Sequence, residues 1–227
     1  DIDKEINYFL TQSMEASKAV GDEITLVENT GLVQQSAAEA ANPYMDMFSA
    51  ENMSGYSEVL LWRPYSKALG VTHNVVTAGQ HGNYGIGLTR GMVEGFLMAN
   101  GLPIYSPNSG YQGDETIADV RKERDSRLSI FLKEPGQKNI LFEAAGGDMA
   151  VPVEPYPVIL NSNAEKGYST GYALRKGGSY EQKQCDNTQN YTGALAFRGT
   201  EALLNYMEAC YERDGACLLY TSPSPRD

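Results

Sequence analysis

The chain has 227 residues, 41% of them hydrophobic and 21% charged, which is enough for a substantial core and too apolar for wholesale disorder. Its formal net charge of -11 excludes nucleic acid as a partner, because phosphate contacts need clustered cations and the longest basic run, RKERDSR at 121–127, is interrupted by its own acids. No apolar run approaches the ~20 residues of a membrane helix, and three Cys with two His leave little material for a disulfide framework, a metal set or a serine triad.

Residues 2–20 place Ile2, Ile6, Phe9, Leu10, Ser13, Ala16 and Val20 at helical spacing and stop at Gly21, predicting an amphipathic helix packed through that stripe. The pattern is already helical at Ile2, with no initiating Met, so the native N-terminus is expected upstream. Asn42-Pro43 signals a turn, and EVLLWRPYS at 58–66 reads as a short strand that Pro64 confines to an edge, with Trp62 in the core. The Gly-rich polar stretch 70–87 reads as a long ordered loop.

LTRGMVEGFLMANG, 88–101, predicts a second helix with Leu88, Met92, Val93, Phe96 and Leu97 on one stripe and Gly101 as its stop. GDETIADVRKERDSRLSIFL, 113–132, predicts a third. Its stripe of Ile117, Val120, Arg124 and Leu128 turns Arg124 inward, where it calls for a carboxylate partner, and the neighbouring Asp125 and Arg127 read as an internal ion-pair network. Residues 133–168 read as irregular, YSTGYALRK (168–176) as a strand, and FRGTEALLNYMEACYERDG as a final helix burying Leu203, Leu204, Met207, Cys210 and Tyr211 and ending at Gly215. The sum is a mainly α fold with long irregular loops and a few short strands.

The ordered set EVLLWRPYS, GLTRGMVEGFLMANGLPI, YQGDETIADVRKERDSRL, STGYALRK and ALAFRGTEALLNYMEACYERDG resembles the SusD/RagB family of outer-membrane nutrient-binding lipoproteins. Residues 2–26 resemble the preceding helix of that family's tetratricopeptide-like scaffold. The resemblance covers nearly all of 1–216 and corresponds to the later part of a family member, so 1–216 is expected to be a partial domain. A long helical N-terminal section and a lipidated Cys would precede it, and a partner helix for the face of Leu203, Leu204, Met207 and Tyr211 would follow. The ending CLLYTSPSPRD, 217–227, reads instead as a translated sequencing adapter.

The resemblance implies a non-enzymatic, outward-facing outer-membrane protein held by an N-terminal lipid anchor. Such a protein binds glycans or other nutrient oligomers and delivers them to a SusC-like TonB-dependent transporter, with no catalytic residue, cofactor or metal. A sugar binder needs aromatic faces and fixed polar groups, and the chain carries 15 Tyr. The candidate ligand residues are the loop side chains Tyr84, Tyr105 and Tyr111 with Asn83, Asn108 and Gln112. The competing readings are a surface glycoside hydrolase and a tetratricopeptide-type peptide adaptor. Glu201, Asn205 and Glu208 share a helix face without defining a carboxylate pair. Gly146-Gly147-Asp148 reads as a turn before it reads as a cation site.

Overall fold

The computed structural model describes residues 1–81, 85–143, 151–157, 159–160, 168–186 and 188–215. Among these, helices dominate and one two-stranded sheet forms; the chain divides into two units, with residues 1–27, 53–63 and 195 onward in the first and most of 28–194 in the second.

In the first unit, α1 (Ile2–Gly21) packs on α7 (Gly199–Asp214). Met14 and Leu10 of α1 meet Leu203, Tyr206, Met207 and Cys210 of α7. Of the face of the last helix expected to lack a partner, Leu203 and Met207 thus meet α1, while Tyr211 stays exposed. The register of α1 also differs from expectation. Leu10 and Met14 form the contact, while Ile2, Ile6 and Phe9 are turned out, Phe9 being 68% exposed.

Next to this helix pair, β1 (Val59–Arg63) pairs with β2 (Ala194–Arg198), a strand that the sequence pattern did not announce because it runs straight into α7. The expected edge strand is therefore present, with Trp62 half-buried. The Glu58 carboxylate, 1% exposed, accepts hydrogen bonds from Val27 N (2.7 Å), Thr200 Oγ1 (2.6 Å) and Arg198 Nη1 (3.2 Å), tying strand entry to helix entry.

In the second unit the predicted loop 70–87 contains a helix, α3 (Val75–His81), with Val76, Thr77, Ala78 and Gln80 buried. Gly79 and the surrounding glycines masked its period. Short α2 (Pro43–Met47) is capped by Asn42, and the predicted second helix shortens to α4 (Arg90–Gly95), capped by Thr89. The predicted third helix is two helices, α5 (Ile117–Arg121), with a Thr116/Asp119 capping box, and α6 (Ser126–Phe131), capped by Asp125. Between them Glu123 takes φ 52°, and the backbone pairs with 97–99 through Ala99 N to Glu123 O (2.8 Å) and Asp125 N to Leu97 O (2.9 Å). The predicted strand 168–176 reduces to a single bridge, Leu132 with Leu174.

Arg124 explains why α4 and α5 stop early. It is buried, as its stripe required, but among the described residues no carboxylate bonds it. Its guanidinium donates to the carbonyls of Val93 (2.7 Å), Phe96 (2.8 Å) and Val120 (3.2 Å), so one side chain satisfies the C-terminal ends of both helices. Gly101, expected to end the second helix, instead serves a separate turn at φ 78°. The expected ion pair of Asp125 with Arg127 is present at 2.6 Å. Around this joint Val93, Val120, Leu128 and Leu132 form the core, with Leu88, Phe96, Ile117 and Tyr172 packed on it.

Arg124→Met strands three carbonyls, each worth about 1–3 kcal/mol when buried and unpaired. The expected outcome is loss of about 3 kcal/mol or more in urea unfolding, and Arg124→Lys, with one ammonium for three acceptors, recovers only part of it.

Candidate functional site

The second unit carries a groove of about 520 Å³. Three separate segments shape it: the start of α5 with Asp114 and Glu115, the stretch holding Tyr156 and Ile159, and the turn 170–172 with Tyr172. Glu134 and Pro135 complete one side. Tyr156 is 82% exposed between Pro155 and Pro157, whereas Tyr172 is half-buried because its other side rests on the core around Val93 and Leu128.

The same unit holds a buried polar cluster. Lys133 Nζ sits 3.3 Å from Glu154 Oε2, and both side chains are 2% exposed. Glu154 also accepts from Asn139 Nδ2 (2.8 Å). The Tyr168 hydroxyl donates to Gly79 O (2.7 Å), a carbonyl that Lys133 Nζ also reaches at 3.2 Å. Burial depresses the Lys133 ammonium to about 8, opposed by the Glu154 charge, and pushes the Tyr168 phenol upward. The neighbouring Arg175, likewise lowered by burial, binds Gln137 Oε1 (2.7 Å) and Lys138 O (3.2 Å). Lys133, Glu154 and Tyr168 each lie one or two residues before a groove segment, the segments beginning at Glu134, Tyr156 and Thr170.

Two glycines fit the turn to its neighbours. Gly171 has φ 77° with Ile159 lying over it, and Gly87 lies so close to the turn that an added Cβ would fall 2.9 Å from Tyr172 O and closer still to Thr170 Oγ1. Leu88 N donates to that same Tyr172 carbonyl at 2.9 Å, which fixes the approach.

A sequence model of the SusD family matches residues 38–220. The chain belongs to the SusD family. A solved SusD-like protein from Bacteroides fragilis is similar in fold, with a TM-score of 0.52 and 21% identity over 92% of this chain and 41% of that one. The chain thus spans about two-fifths of that relative's length. No curated protein matches the sequence.

Of the residues singled out from sequence, Asn83 and Tyr84 lie outside the described residues, as do Gly146-Gly147-Asp148 and the tail 217–227. Tyr105, 85% exposed, and the exposed Asn108 share one loop, pinned by Ser109 Oγ to Ile104 O (3.0 Å) and Asn100 Nδ2 to Ser109 O (3.1 Å). Gln112 donates to Gly110 O (2.7 Å). Tyr111 is half-buried with the Arg124 guanidinium 5.4 Å from its ring centre; burial and then the Asp114 charge raise its phenol. None of the described members of the set lines the groove; Tyr111 comes near it through the charge of Asp114.

In this SusD-family chain, sequence reasoning missed Tyr156 and Tyr172, one assigned to an irregular stretch and the other to a strand. The signal for Tyr156 was its place between two prolines in VEPYPVIL. Among the described residues no cluster of His, Cys, Asp or Glu could hold a metal ion, and no helix is long and apolar enough to cross a membrane.

The Gly87→Ala variant is expected to lose about 1–3 kcal/mol in urea unfolding, because the clash falls on backbone fixed by a hydrogen bond. The Lys133 ammonium has its own pH signature. Its folded value of about 8 lies below the ordinary 10.5, so between those two pH values the unfolded chain binds more protons and stability rises with pH. That contribution is on the order of 3 kcal/mol, and it is expected to vanish from the pH dependence of unfolding in Lys133→Met.

Proposed function

We propose that this chain is part of a cell-surface binder of glycans or other nutrient oligomers, and that the groove between Asp114 and Tyr172 takes the ligand. The carrying observation is the pair of groove tyrosines, one exposed and one seated on the core, beside carboxylates and Thr170. Tyrosine rings accept the apolar C–H faces of sugar rings, and carboxylates accept hydrogen bonds from sugar hydroxyls. Family membership supports the binding role. In the full protein an N-terminal lipid anchor would hold the binder on the outer face of the outer membrane, above a SusC-like TonB-dependent transporter that receives the cargo. The antiparallel-hairpin-like use of α1 and α7 as partners is consistent with a tetratricopeptide-like scaffold, and residues 1–216 would form part of such a domain.

Tyr156→Ala removes an exposed ring with little bearing on stability. In native affinity electrophoresis against a panel of polysaccharides, the wild-type chain is expected to be retarded by at least one. The variant is expected to lose about tenfold in affinity, roughly 1.4 kcal/mol. Retardation that is unchanged in Tyr156→Ala and Tyr172→Phe/Ala would remove the groove from the reading, and release of shortened products over time would replace binding with hydrolysis.

A further inference from the structure

We propose that the groove sorts its ligands by charge, admitting neutral or amino-bearing oligosaccharides and turning away chains that carry carboxylate or sulfate groups. This rests on the reading of the groove as a glycan site. Among the described residues its charged lining is Asp114, Glu115 and Glu134, with no Lys or Arg.

Two described cations that pair with groove acids are already engaged. Arg121 is paired with Glu134 and also donates to Ser129 O at 2.6 Å. Arg90 lies 2.6 Å from Glu94 and 3.4 Å from Asp114, so two acids share one guanidinium. Glu115 is exposed and makes no hydrogen bond or ion pair among the described residues. Asp119, one turn along α5, adds another carboxylate beside Thr116.

The same groups act differently on the two ligand classes. A carboxylate oxygen accepts from a neutral sugar hydroxyl in a charge-assisted hydrogen bond, stronger than a neutral one. A ligand carboxylate or sulfate offers no proton to accept and meets like charge in a partly desolvated groove, where repulsion is less screened than in bulk water. Attraction toward one class and repulsion of the other come from one set of side chains, which is how discrimination between similar partners is commonly built. The chain's net charge of -11 extends the same bias to the approach of the ligand.

The test is affinity electrophoresis of the chain at low ionic strength, with neutral glucan, mannan, xylan and galactan in one set of gels and polygalacturonate and a sulfated galactan in the other. Retardation by a neutral polymer with none by the anionic ones is the expected result. Raising the salt should leave neutral retardation in place and let an anionic polymer with the same backbone begin to bind, because screening removes the repulsion. Glu115→Lys should raise the ratio of anionic to neutral affinity by about tenfold or more. Anionic polymers that retard the wild-type chain as strongly as neutral ones would overturn the charge rule and leave the glycan reading standing. No retardation by any polymer would overturn both.

Discussion

A buried ion pair between Lys133 and Glu154 anchors the irregular loops of the second unit. Neither group can be placed at 2% exposure without the other, since a lone buried charge costs several kcal/mol while a well-bonded pair comes near to balance. The geometry gives this pair its importance. Lys133, Glu154 and Tyr168 come from three separate stretches of the chain, and each lies one or two residues before a groove segment. The polar cluster therefore acts as a common origin from which the walls are measured. Asn139 on Glu154, and Arg175 on Gln137 and Lys138, spread the same constraint to neighbouring loops that have no regular ladder of their own.

Arg124 plays a comparable part at the helix joint. A helix shorter than two turns has nearly as many open backbone ends as closed bonds, and α4 and α5 are each that short. One planar guanidinium serving three carbonyls lets both end where the loop geometry needs them to. The inward Arg was legible from the 117–128 stripe. Its partners were not, because carbonyl acceptors leave no mark in side-chain pattern. The break at Glu123 was hidden for a related reason: backbone pairing with 97–99 outweighed a helical period that continued through it.

Other elements divide along the same line. The long helices α1 and α7 were readable because amphipathic period over many residues is hard to produce by chance. Even there, the choice of Met14 over Phe9 as the contact depended on which neighbour was available. Helix α3 was obscured by Gly79, and β2 by its fusion to α7. For the groove, composition pointed to tyrosines in loops, and the sequence-based choice settled on those in Gly- and Asn-rich turns. The structure places the groove tyrosines in a proline-flanked stretch and beside a glycine turn, and among the described members of the chosen set Tyr111 is the one influenced by Asp114 and Tyr172.

The flanking prolines of Tyr156 have a consequence for how a guest would be met. Pro157 restricts the backbone of Tyr156 to extended shapes, and Pro155 fixes its own φ just upstream. The ring is thus carried on a stiff finger whose freedom was surrendered during folding rather than at the moment of encounter. Contact energy won at that ring is then not consumed in stilling a floppy loop. For the proposed binder, such a finger lets a modest contact area still count toward affinity.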